Sequence, residues 1–177
     1  MTQSHGFIML SLPACKVRLI VSIALLMCVL NDAWSEAPVP YPRIETGAHT
    51  AKISRIGIDR SERWLVSAST DKTARVWDLN SGKLHRILRP PIGDGFEGRL
   101  YAVAISPDAA RVAVGGFTGA SNAHQSPVYL FDRSSGRLMK RSVAITQSTI
   151  HLVFSADGTR LAAASGSGSL YVLNGLD

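Results

Sequence analysis

The sequence predicts an all-β fold of short strands grouped into repeated sheets, and three observations carry that reading. First, residues 58–69 (IDRSERWLVSAS) align with residues 105–116 (ISPDAARVAVGG) at an offset of 47, and these align with residues 154–165 (FSADGTRLAAAS) at an offset of 49. Second, the copies are punctuated by turn chemistry: Ser106-Pro107-Asp108 in one and Ser155-Ala156-Asp157-Gly158 in the next. Third, each copy is followed by another apolar run, at residues 74–78 (ARVWD), 128–132 (VYLFD) and 170–174 (LYVLN). After the first two runs a glycine turn, Asn80-Ser81-Gly82-Lys83 or Ser134-Ser135-Gly136-Arg137, leads into a fourth short strand. No such unit buries its apolar face alone. Stacked four-stranded repeats of this length are the blades of a β-propeller.

Taken from the beginning, the chain opens on a segment outside that pattern. Residues 19–30 (LIVSIALLMCVL) are uncharged and apolar, and Lys16 and Arg18 precede them. Twelve helical residues cover about 18 Å against roughly 30 Å for a bilayer core, a length that suits a secretory signal better than a span. Ala33 and Ser35 are small residues at −3 and −1 of a cut before Glu36, so residues 1–35 read as an export signal. The mature chain is then periplasmic or secreted. Retention as a membrane anchor through residues 19–33 is the alternative, favoured by the long segment ahead of the apolar run. Met27 before Cys28 argues against a lipoprotein. Both cysteines, Cys15 and Cys28, fall in this segment, which leaves the remainder without a thiol nucleophile, a disulfide or a cysteine metal site. Residues 36–43 form a linker whose prolines (Pro38, Pro40 and Pro42) forbid regular helix or a paired central strand.

The net charge is +6, from 19 Lys and Arg against 13 Asp and Glu. Taking off Lys16, Arg18 and Asp32 leaves +5, so the basic character belongs to the repeats. The positive side chains are scattered and carry no aromatic-rich basic motif. That pattern reads as a soluble basic surface and gives no nucleic-acid footprint.

Residues 47–88 carry the most specific pattern: Gly47-x-His49, then Ser67-x-Ser69-x-Asp71-Lys72-Thr73, then Trp77-Asp78. This stretch resembles a WD repeat. The resemblance implies a hydrogen-bonded chain of His49, Ser67, Asp71 and Trp77, whose spacings of 18, 4 and 6 suit the family pattern. Physically, a buried indole N–H needs an acceptor, Ser67 can accept and pass on a donor, and Asp71 can fix the imidazole. The second copy departs from the pattern: Phe131 stands for the Trp, Val114 for the Ser, and extra residues including Asn122 and His124 lengthen a loop. The third copy has Leu173-Asn174 for Trp-Asp, and its run Ser165 to Ser169 lacks the Asp. These copies are expected to rely on strand packing.

The expected organisation is an incomplete propeller over residues 44–177, with blades at about 47–90 and 98–145 and a partial blade at about 148–177. Closed propellers have about 4–8 blades. Two and a half blades read as a natural truncation, or as a fragment that associates through open edges. Residues 89–106 (RPPIGDGFEGRLYAVAIS), with Val114-Gly115-Gly116-Phe117-Thr118-Gly119 and Tyr129-Leu130-Phe131-Asp132-Arg133, are similar to the N-terminal propellers of bacterial proteins that add a caspase-like peptidase domain. The resemblance implies a regulatory or targeting part without the catalytic Cys/His domain.

The sequence points to no enzyme, cofactor or metal. His5 lies in the export segment, His85 on an outer strand beside Arg86, and His151 in or at a first strand. His124 has no second ligand at a characteristic spacing. His49, Ser67 and Asp71 superficially match a hydrolase triad, but no G-x-S-x-G elbow exists. Gly93 to Gly98 reads as a tight loop between blades without an EF-hand pattern. Gly166-Ser167-Gly168-Ser169 reads as a hairpin turn. The expected function is a non-catalytic module that binds a protein or peptide through blade-end loops. Arg86, Arg89, Phe96 and Arg99 form the candidate binding rim, and a solvated rim is the bland reading of the same residues. A regulatory fragment of a peptidase and a fragment with no function of its own are the alternatives.

Overall fold

The computed structural model describes residues 47–118, 125–142 and 145–175, and all of them fall in one unit, Glu45–Asp177. The export segment, the linker, His5, Cys15, Cys28 and His124 lie outside the described residues. The described residues contain strands and turns and no helix.

Three antiparallel sheets follow one another in chain order. The first comprises β1 (Ile53–Ile58), β2 (Trp64–Ser69), β3 (Ala74–Asp78) and β4 (Lys83–Leu88), hydrogen-bonded in that order. The second comprises β5 (Arg99–Ile105), β6 (Arg111–Phe117), β8 (Tyr129–Asp132) and β9 (Leu138–Arg141). The third comprises β11 (Thr149–Phe154), β12 (Leu161–Ser165) and β13 (Leu170–Leu173). A two-stranded ribbon, β7 (Gln125–Ser126) with β10 (Ile145–Thr146), bridges the second and third. The sequence pattern misses this ribbon, because strands of two residues are too short to show a period. The third strand of the second copy starts at Tyr129 and not at Val128, whose N–H is bound by Ser142 Oγ at 3.1 Å.

The repeats are equivalent in detail. Each first strand slips register at the same place: between Ile53 and Arg55, Leu100 and Ala102, and Thr149 and His151. Each turn into the second strand is closed by a side chain that takes an N–H at the start of that strand. Ser106 Oγ takes Arg111 N–H and Ser155 Oγ takes Arg160 N–H, both at 2.9 Å. In the first sheet Asp59 takes Trp64 N–H at 2.7 Å. Glu62, Ala109 and Gly158 share one turn position and all have positive φ, at 55°, 58° and 73°. Only glycine adopts that conformation freely, so the first two turns are held against a backbone preference that the third satisfies.

The core lies between sheets. Val66, Val76 and Leu88 of the first sheet are buried against Val103, Ile105, Val112, Val114 and Phe131 of the second. The opposite side of the second sheet (Ala102, Ala104, Ala113 and Leu130) packs on Leu152, Leu161 and Ala163 of the third. Within the second sheet β5 and β6 run close at the register slip: at Gly116 an added Cβ would sit 2.1 Å from Arg99 O, so the position admits glycine alone.

Candidate functional site

The turn between β2 and β3 returns the chain so that Ser67, Asp71 and Trp77 face the leading loop that carries His49. His49 Nδ1 lies 2.8 Å from Asp71 Oδ2, and His49 Nε2 lies 2.8 Å from Ser67 Oγ. Trp77 Nε1–H donates to the same Ser67 oxygen at 2.9 Å. An ionised carboxylate only accepts, so Nδ1 carries the imidazole proton, and Nε2 accepts from the Ser67 hydroxyl. Each donor along the chain then has an acceptor. Thr73 Oγ1 and Thr73 N–H donate to Asp71 Oδ1 at 2.6 and 2.9 Å, and Thr50 N–H donates to Oδ2 at 3.1 Å. Burial pushes the Asp71 carboxyl up. The hydrogen bonds from Thr73, His49 and Thr50 outweigh it and hold the group below the ordinary aspartate value.

The Ser–His–Asp connectivity is that of a hydrolase triad. Its surroundings are not. Ser67 is buried, with its hydroxyl donating to His49 and accepting from Trp77, so the oxygen is closed off from a substrate carbonyl. The imidazole is enclosed as well, with 2 % of its side chain exposed. Trp77 differs from the sequence expectation of a buried indole. It is only partly buried, because it lies on the side of the first sheet that no described sheet covers.

The structure divides the four rim residues. Phe96 is 62 % exposed, and the Arg99 guanidinium lies over its ring at 4.2 Å from the centroid. Their loop is pinned by Lys72 Nζ–H to Gly93 O at 2.8 Å and by Gly98 N–H to Phe117 O at 2.6 Å. Gly98, at φ +96°, packs its bare Cα against Ile92, where a Cβ would come within 2.7 Å of Cγ2. Arg89 is exposed on the same loop. Arg86 belongs elsewhere, which corrects the grouping. It donates to Ser135 O at 3.1 Å, in the turn beyond Asp132 at the opposite end of the second sheet from Phe117. Sequence adjacency on β4 concealed this, since the strand carries successive residues toward opposite ends of the neighbouring sheet.

A cluster the sequence did not signal joins the first two sheets. The guanidinium groups of Arg63 and Arg133 lie 5.0 and 4.1 Å from the Trp64 ring, with the His85 ring tilted against it at 4.7 Å. Burial, then the charges of Arg133 and Arg86, push the His85 imidazole below its ordinary value. Arg133 sits 69 residues from Trp64 in the chain, so only a pairing of the two repeats in space shows the contact. His151 is exposed on β11. With Ile56, Ile58 and Val103 it lines a groove of about 460 Å³ between the three first strands. Among the described residues no three His, Cys, Asp or Glu side chains are placed to hold a metal ion.

With this geometry in hand, the comparisons with known proteins are specific. Residues 42–78 match the WD domain, G-beta repeat family. The human F-box/WD repeat-containing protein 4 is 39% identical over 75 residues, which are 42% of this chain and 17% of that protein. The bovine target of rapamycin complex subunit LST8 is 26% identical over 137 residues, 76% of this chain and 38% of the relative. The Monosiga brevicollis ribosome biogenesis protein BOP1 homolog is 38% identical over 47 residues, 27% of this chain and 6% of the relative. The chain thus spans well under half the length of these curated relatives. The part that matches the repeat model takes in β1, β2 and β3 of the first sheet.

Proposed function

We propose that this chain is a non-catalytic protein-interaction module whose stacked sheets hold a protein or peptide against the loop ahead of the second sheet. The observation that carries the reading is Phe96: a large aromatic left 62 % exposed, backed by Arg99 and anchored by Lys72 and Gly98. Aromatic and arginine side chains on a fixed support are what interface hot spots are made of. The likeness to WD-repeat proteins, one of them by name a complex subunit, supports the same reading. In it the His49–Ser67–Asp71–Trp77 chain has a structural role: it ties the leading loop to the sheet and performs no chemistry. Export by residues 1–35 is part of the proposal and rests on that segment's sequence alone; a regulatory part of a caspase-like peptidase is the alternative reading, resting on residues 89–133 by sequence alone.

The test is quantitative affinity purification from the native host with the wild type and a Phe96→Ala/Arg99→Ala variant. A partner recovered by the wild type and depleted with the variant supports the site. Identical recovery with both removes it.

A further inference from the structure

The three sheets stack in one sense. One side of the second sheet, its leading side, carries Val103, Ile105, Val112, Val114 and Phe131 and meets the first sheet. Its other, trailing side carries Ala102, Ala104, Ala113 and Leu130 and meets the third. Each internal junction is therefore a trailing side on a leading side. The repeat offsets place Ile56, Ile58, Leu65 and Trp77 on the leading side of the first sheet, and Val153, Ala162 and Val172 on the trailing side of the third. Among the described residues no sheet covers either side, and Ile56, Ile58, Val153 and Val172 are each at least half exposed. Apolar side chains grouped in this way mark an interaction surface.

A polar contact sets the register of the junction. Arg111 crosses from the second sheet to the third, with NH2 donating to Gly158 O at 3.0 Å. Its counterpart at the next offset is Arg160, exposed beside Val153, Ala162 and Val172. The counterpart of Gly158 on the first sheet is Glu62, held in the same left-handed conformation with φ 55°. One chain thus carries both halves of a junction it already makes internally.

We propose that a second copy of this chain docks head to tail, the leading side of its first sheet on the trailing side of the third. Arg160 then donates to the carbonyl of Glu62 of the second copy. Two copies joined twice in this way supply six sheets, within the range of about 4–8 found in closed propellers. The contact is heterologous, and its closure after two copies is what limits the assembly. The inference rests on the stacking of the sheets and does not involve the Phe96 loop.

Light scattering of the purified full-length chain at micromolar concentration tests it. The expected mass is twice the 19.0 kDa of one chain. Ile56→Glu and Val172→Glu should each give a monomer with an unchanged β-sheet spectrum. An equimolar mixture of the two should regain a dimer, because each supplies the side the other lacks. Arg160→Ala should weaken association by about a hundred-fold, the effect of losing one hydrogen bond to a charged group at each of the two junctions. A monomeric wild type overturns the proposal. So does an assembly insensitive to both substitutions, which would place the contact away from these two sides, or one sensitive to Val172→Glu alone, which would mean β13 edges pairing with each other.

Discussion

Ser67→Ala is the sharpest perturbation of the polar chain, because a single oxygen serves two partners. In the wild type that oxygen accepts from Trp77 Nε1 at 2.9 Å and donates to His49 Nε2 at 2.8 Å. Removing it leaves the imidazole nitrogen buried with no partner, at a cost of about 1–3 kcal/mol. The indole is partly exposed, so water can replace its lost acceptor, and this half of the loss adds about 0.5 kcal/mol. A total of about 1.5–3.5 kcal/mol corresponds to roughly a 1 M fall in urea midpoint for a domain of this size. Urea titration by far-ultraviolet circular dichroism measures it, with Trp77→Phe as the partner substitution. The double variant should lose less than the sum of the single losses, since Trp77→Phe removes a donor whose acceptor is already gone. An unchanged midpoint for Ser67→Ala, or strict additivity, would refute the shared-oxygen reasoning.

Gly116→Ala should destabilise by about 1–3 kcal/mol, since the new methyl meets backbone at 2.1 Å and neither strand can yield; a thermal melt reads it. Asp132 is held at about 2 by the hydroxyls of Ser135 and Ser134 and by Ser135 N–H. A depressed carboxylate contributes stability that is complete above its unfolded value and lost as pH falls toward about 2, so Asp132→Asn should flatten the acid limb of a midpoint-against-pH curve. His85 shows the opposite chemistry with the same sign. Its depressed value means the fold disfavours the imidazolium, and stability falls as pH drops below the ordinary histidine range. Arg133→Gln should move the titration of the His85 ring upward in proton NMR. No movement would mean that Arg133 does not act on the ring.

The repeats were legible because their strands are bounded by turn residues at fixed offsets. The run at residues 74–78 is β3 itself, and the Asn80–Lys83 and Ser134–Arg137 turns lead into β4 and β9. The four residues of the polar chain were legible as well, since three lie within one hairpin whose geometry is local. What the sequence hid depends on how repeats face each other. The Arg133–Trp64 contact, the separation of Arg86 from Phe96 and the open side beneath Trp77 are set by stacking. In the first sheet Asp59 and Ser61 exchange the roles of Ser106 and Asp108, so the same turn is closed by a different residue order. Alignment by identity scores that exchange as a mismatch.

The same exchange logic explains how two copies keep the fold without the polar chain. Deleting one member of a buried hydrogen-bonded pair is costly, but replacing both by apolar groups of similar shape is nearly neutral. The second sheet does this, with Val114 and Phe131 at the positions of Ser67 and Trp77, and both are buried against the first sheet. The third does it with Ala163 and Leu173. Ser167 stands where Asp71 stands, and its N–H still binds Ser165 Oγ at 3.2 Å, as Asp71 N–H binds Ser69 Oγ at 3.1 Å. The turn therefore survives while the histidine relay disappears. An apolar pair suits a side that another sheet covers, and the polar pair is found on the one leading side left open among the described residues. There an indole with a satisfied N–H tolerates contact with water and with an incoming apolar face alike.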